Sequence, residues 1–146
     1  MSLIRHYSKE EQSIAVNILL LAFSRDPFQR FLMPDPSIYF QNSTIWFNNT
    51  VSQSISIQAL LGTEDRSGVA VWFPPEHLVS FEAIEITYKD FPDSINKDIF
   101  KYFTEFEKNK PKDAWYLEYL GVDPRSHSLG LGSLILKDSL SKIDDL

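Results

Sequence analysis

The chain has 146 residues, 43% of them hydrophobic and 14% aromatic, which is the size and apolar content of one domain, residues 1–146, with a sizeable core. Twenty acidic against fourteen basic residues give a net charge of −6, so polyanions are repelled and no nucleic-acid partner is expected. Cysteine is absent and the only histidines, His6, His77 and His127, are scattered, so neither disulfides, thiolate nucleophiles nor a metal site are expected.

The longest apolar runs, near Ile18–Phe23 and Gly68–Phe73, fall far short of the roughly 20 residues that a membrane span needs. The N-terminus turns polar at once, without the apolar stretch of a secretory signal, and a cytoplasmic protein with no membrane partner is the expectation. A short extended segment comes first. Ser8 followed by Glu11 has the form of a capping box, which starts a helix near Lys9 with Ile14, Ile18, Leu21 and Ala22 at helical spacing. "SRDPF" ends that helix and offers Asp26 as an N-cap with Pro27 behind it. Beyond "MPDP", the positions of Ile38, Trp46, Phe47 and Val51 pattern a second long helix to about Ser54, despite many Asn, Ser and Thr residues that weaken helix propensity.

The period then changes. "SIQALLG" and "GVAVWF", joined by "TEDRS", predict an antiparallel hairpin with strands near Ile55–Gly62 and Gly68–Phe73. Two helical segments follow, Ser80–Lys89 and Ser94–Lys108, the second with Ile95, Ile99, Phe103 and Phe106 on one stripe. "AWYLEYLGV" is a third interior strand; regular alternation puts Tyr116, Glu118, Leu120 and Val122 on one face and Trp115, Leu117, Tyr119 and Gly121 on the other. Leu131, Leu134 and Ile135 pattern a last helix. Strand, helices, hairpin, helical insertion, strand and helix make an α/β layer protein with a mixed, mainly antiparallel sheet.

Between that last strand and last helix lies "DPRSHSLGLG". A glycine-rich turn opening a helix can aim several backbone N–H groups at a phosphate without any cationic side chain. A Ser-His nucleophile at "SHS" is disfavoured, because adjacent residues rarely present their side chains to each other. The strand "LEYLGV", the turn "DPRSHSLGLG" and the helix "SLIL" resemble the acetyl-CoA-binding motif of the GNAT superfamily of N-acetyltransferases, which reads Gln or Arg, two residues, Gly, one residue, then Gly or Ala. "GVAVWFPP" and "AFSRDPFQRFLMPD" resemble the puromycin N-acetyltransferase-like branch.

The resemblance implies acetyl-CoA as cosubstrate and a GNAT-like fold that lacks its C-terminal strands. It also implies that the amides of His127, Ser128, Leu129, Gly130, Leu131, Gly132 and Ser133 face the pyrophosphate, while Leu120, Gly121 and Val122 pair with the pantetheine arm. His127 stands where the motif has Gln or Arg, and Ser128 stands where this branch has glycine; Arg125 is a candidate for added positive charge. Acetyl transfer to an amine needs a proton acceptor, and Glu118 is the carboxylate placed for it, with the Leu120 or Val122 amide as oxyanion donor. Phe28, Phe31, Trp46 and Trp72 are candidates to enclose a small cationic amine. A protein or peptide amine and a non-catalytic acyl-CoA-binding or interaction module are the alternatives. The uncovered edge of the strand Trp115–Val122 predicts pairing with another strand, including that of a second copy in a homodimer.

Overall fold

In the computed structural model, which describes residues 3–145, local signals set most element starts. β1 (Ile4–His6) leads into a single 3-10 turn over Lys9–Glu11, where the Ser8 N–H donates to Glu11 Oε1 at 3.1 Å. The α-helical winding of α1 (Gln12–Ala22) therefore starts a turn later than Lys9. Asp26 accepts from the Gln29 N–H at 3.0 Å and Pro27 takes the first position of α2 (Pro27–Leu32). Asp35 and Pro36 repeat the device at α3 (Pro36–Ser56), and the Ser80 hydroxyl caps α4 (Phe81–Tyr88), which α5 (Asp93–Asn109) follows.

Two features depart from the sequence pattern. Ile55–Gln58, expected to open a strand, is the last turn and exit of α3, and β2 is only Leu60–Thr63. Gln58 adopts φ 56°, which lets its N–H reach Ile55 O at 2.9 Å and the Ala59 N–H reach Ser54 O at 2.8 Å, a helix stop of the Schellman type made without glycine. The second departure lies between β3 (Gly68–Phe73) and β4 (Tyr116–Val122). Val71 pairs with Tyr119 while Trp72 pairs with Leu117, so Glu118 is an extra residue in β4, a β-bulge. The bulge resets the alternation and sends Tyr116 and Tyr119 to the same side as Phe73, where regular alternation had separated them.

The four strands are antiparallel in the order β1-β2-β3-β4. α1 and α3 cover one face over a core that includes Leu19, Phe47, Val51, Val69, Val71 and Phe73. α6 (Leu131–Asp144) covers the other, over Ala70, Trp72 and Ile135. With both faces buried, β2 and β3 read as continuous apolar runs and not as alternating ones. No helix among the described residues is long and apolar enough to cross a membrane.

Candidate functional site

The bulge fixes the position of Glu118. Its carboxyl opens on a cavity of about 340 Å³ bounded by α2, α3, α5 and β4. The walls are aromatic, among them Phe23, Trp46, Phe73, Phe103 and Tyr116. No hydrogen bond or ion pair holds the Glu118 side chain among the described residues, and burial pushes its acidity up to about 7; Lys110 pulls the value down and Glu107 pushes it up, both by less than burial. A carboxyl poised near 7 is half-ionised at physiological pH, the condition for exchanging a proton in both directions.

Lys110 and Glu107 of this cavity are paired with each other, although Glu107 Oε2 is buried without a partner among the described residues. Lys110, nearly buried at the end of α5, donates to His77 O at 2.6 Å and to Glu107 Oε1 at 3.1 Å, and Glu107 also accepts from the Val79 N–H. His77 stacks on Phe73 with ring centroids 3.9 Å apart; burial and then Lys110 lower its basicity, so the imidazole is neutral. The phenol of Tyr119 is held well above its ordinary pKa by burial, and it accepts the Trp46 indole N–H at 2.7 Å.

A second cavity, about 590 Å³, lies between the α1–α2 corner, the end of β4 and the turn into α6. From Ser128 to Ser133 no backbone N–H has an acceptor among the described residues; the first helical bond of α6 is from the Leu134 N–H to Gly130 O at 3.0 Å. Ser128 at φ 65° and Gly130 at φ 74° curl these amides into a nest of the kind that receives anions. The His127 N–H is not among them, since it donates to Pro124 O at 3.3 Å, and the ring folds back so that Nε2 lies 3.1 Å from Val122 O.

The sequence-predicted residues divide by place. Leu120, Val122, His127, Ser128, Gly130, Leu131, Gly132 and Ser133 line the second cavity. Leu129 is 71% exposed outside that lining, and Gly121 turns toward Leu19 and Ala22 of α1. Arg125 also lies outside it, with its guanidinium folded onto Asp123 at 2.6 Å. Glu118, Phe28 and Trp46 line the first cavity. Phe31 is 80% exposed on α2, and Trp72 points to the α6 side of the sheet, because β3 alternation gives Val71 and Phe73 the other face. Neither joins the cavity.

No family model and no curated protein matches the chain. Solved structures do. Over 97% of this chain and 71% of its own, a protein described as histone acetyltransferase HPA2 and related acetyltransferase from Corynebacterium glutamicum superposes with a TM-score of 0.68 at 18% identity. The mosquito arylalkylamine N-acetyltransferase-like 5b superposes with a TM-score of 0.65 at 14% identity, over 99% of this chain and 72% of that one. The fold is GNAT-like.

In this GNAT-like frame four further residues stand at the cavities. Arg25 lines the same cavity as the free amides, exposed and without an ion pair among the described residues. Asp26 and Phe23 border both cavities, so the α1–α2 corner is where the two meet. Asp26 could be read from the sequence only as a cap, and nothing in "SRDPF" marks the neighbouring arginine. Thr50, on α3, is 3% exposed, and no local pattern distinguishes it from the other polar residues of that helix.

Proposed function

We propose that the chain is an acetyl-CoA-dependent N-acetyltransferase whose acceptor is a small primary amine. The observation that carries the reading is Glu118, an unpaired carboxyl lifted to about 7 on a bulge of β4, facing one cavity while the same strand runs on to an amide nest in the other. The nest and Arg25 suit a pyrophosphate, since free amides at a helix N-terminus and one guanidinium neutralise dispersed negative charge. The space at Gly130, where an added Cβ would meet nothing within 4 Å, leaves the backbone open to a close approach. The thioester end of such a cosubstrate follows β4 toward Glu118.

Glu118 accepts a proton from the ammonium form of the acceptor. The free amine attacks the thioester carbonyl, a C–N bond forms, the C–S bond breaks, and the departing thiolate takes up the proton that the nitrogen sheds as it becomes an amide. The aromatic walls and enclosed volume favour a small organic acceptor over a protein surface. The stretch "AFSRDPFQRFLMPD", which carries the resemblance to the puromycin N-acetyltransferase-like branch, supplies Phe23, Asp26, Phe28 and Gln29 to that cavity and supports the same preference.

Calorimetry with acetyl-CoA, together with thiol release in the presence of a panel of primary arylalkylamines, tests the reading. Binding with amine-dependent thiol release is the expected result. Binding without turnover on any amine or peptide would make the chain a cosubstrate-binding module, and no binding would remove the proposal.

A further inference from the structure

Of the three lysines in "KNKPK" at the end of α5, Lys108 and Lys112 are exposed and Lys110 is not: its side chain is 9% exposed and lies in the wall of the cavity that Glu118 faces. Burying an ammonium among aromatic rings is costly, and a lysine that merely complements the negative end of a helix has no need of it. Lys108, solvated in the last turn, already fills that role. Lys110 is instead held from two sides. Its Nζ donates to Glu107 Oε1 at 3.1 Å, one turn back on the same helix face, and to His77 O at 2.6 Å in the turn after β3. That turn is itself fixed by Glu76, which takes φ 68° and donates its N–H to Lys112 O at 3.1 Å.

The ammonium so held lies 5.6 Å from the centroid of the Tyr116 ring and 5.9 Å from that of Phe106. Tyr116 is two residues before Glu118 on β4 and lines the same cavity. We propose that Lys110 is a positioning residue for Glu118: its ammonium is fixed at the cavity wall so that the carboxylate needed to accept the acceptor's proton can form there. Glu107 opposes it. Its Oε1 takes two donors, Lys110 Nζ and the Val79 N–H, while Oε2 is buried without a partner among the described residues, which leaves negative charge on that side of the cavity. The inference rests on the acetyltransferase reading above for its purpose and not for its geometry.

The other titratable groups of the cavity leave this pair in control. β4 presents the phenols of Tyr116 and Tyr119 and α4 that of Tyr88, all raised by burial, Tyr116 and Tyr88 to about 12, so all three are neutral. Tyr102 of α5 is half-exposed and tilts against Phe28 at 5.7 Å. The His77 imidazole is neutral through burial, and Asp26, at the corner toward the second cavity, accepts the Gln29 N–H as the cap of α2. Lys110 and Glu107 are the charges that act on Glu118, in opposite senses and with Lys110 the stronger. Against a wall of aromatic rings neither is screened as a surface charge would be.

The test is the titration of the Glu118 carboxyl, followed by carbon NMR on protein with isotope-labelled glutamate, free of ligand, with the resonance assigned through Glu118→Gln. Lys110→Met is expected to move the midpoint to higher pH, Glu107→Gln to lower pH, and Lys110→Arg, which restores the charge, to leave it in place. Lys110→Met combined with Glu107→Gln removes both charges and leaves neither buried alone, so it serves where the single lysine change does not fold. Its midpoint is expected above that of wild type and below that of Lys110→Met. A merely structural clamp gives another pattern: loosening admits water, relieves the burial of Glu118 and lowers the midpoint in every variant. A midpoint at or below that of wild type in Lys110→Met, or in the double variant where the single one does not fold, overturns the inference. With acetyl-CoA and the arylalkylamine that turns over fastest, the step in kcat/KM against pH is expected to follow the same displacements, and a step that stays put while the carboxyl titration moves overturns it as well. Absence of thiol release on every amine removes the acetyltransferase reading instead, and the titration, which needs no turnover, still decides whether Lys110 acts on Glu118.

Discussion

Trp46 donates its indole N–H to the hydroxyl of Tyr119 at 2.7 Å, tying the middle of α3 to β4 beside the bulge. Phe23 and Phe47 meet the Tyr119 ring edge-on at 5.4 and 5.2 Å, so the phenol is fixed by packing as well as by its hydrogen bond. Because Glu118 is the next residue, this contact also anchors the backbone that presents the carboxyl.

Tyr119→Phe keeps the ring packing and leaves the Trp46 N–H without its acceptor. The expected cost is about 1–2 kcal/mol of unfolding free energy, measured by urea denaturation with an unchanged m-value. A loss below a few tenths of a kcal/mol would mean that water replaces the phenol at no penalty.

For Glu118 the proposed proton transfer predicts a fall of about 10²-fold in kcat for Glu118→Gln, the usual size of a general-base contribution. Wild-type kcat/KM should rise with pH and level off above about 7, where the carboxyl is ionised, and the variant should lack that step. A retained step in Glu118→Gln assigns it to another group.

The same displaced acidity has a sign in stability. Glu118 ionises near 4.5 when unfolded and at about 7 when folded, so between those values the folded chain holds the extra proton. Its contribution is fully present below about 4.5 and is lost as pH rises through 7. Glu118→Gln should therefore match wild type in stability at pH 4 and exceed it at pH 8, as read by denaturant midpoints. Equal midpoints at pH 8 would show that the folded carboxyl ionises without penalty.

Sequence periodicity revealed what local chemistry encodes. Asp26 with Pro27 caps a helix because its side-chain oxygen meets an exposed N–H group three residues on, and the same local device recurs, unread in the sequence, at Asp35 with Pro36 and at Ser80. The glycine turn was legible for the same reason. The exit of α3 was not, since its left-handed residue is Gln58 and no glycine marks it. Nor was the bulge: Glu118 is displaced by pairing with β3, and an alternation count cannot see a residue that its partner strand skips. That miss put Tyr116 and Tyr119 on opposite faces. Trp72 was grouped with the cavity aromatics because a strand buried on both sides has no polar face to show which way each side chain points.

The two glycines of the turn make separable predictions about folding and binding. Gly130 has φ 74°, so Gly130→Ala is strained although no neighbour lies within 4 Å, and the variant should lose about 1 kcal/mol of stability. Gly132 sits in the first turn of α6 with ordinary helical geometry, and an added Cβ would meet only Val122 Cγ2 at 4.0 Å. Gly132→Ala is thus expected to gain up to about 1 kcal/mol from reduced backbone freedom in the unfolded chain. Both changes place a methyl group among the free amides of Ser128–Ser133, which line the second cavity. Acetyl-CoA affinity measured by calorimetry should therefore drop about tenfold or more in each, including in the variant that became more stable. If Gly132→Ala is stabilised and binds acetyl-CoA as tightly as wild type, those amides do not approach the cosubstrate, and the phosphates must be held elsewhere.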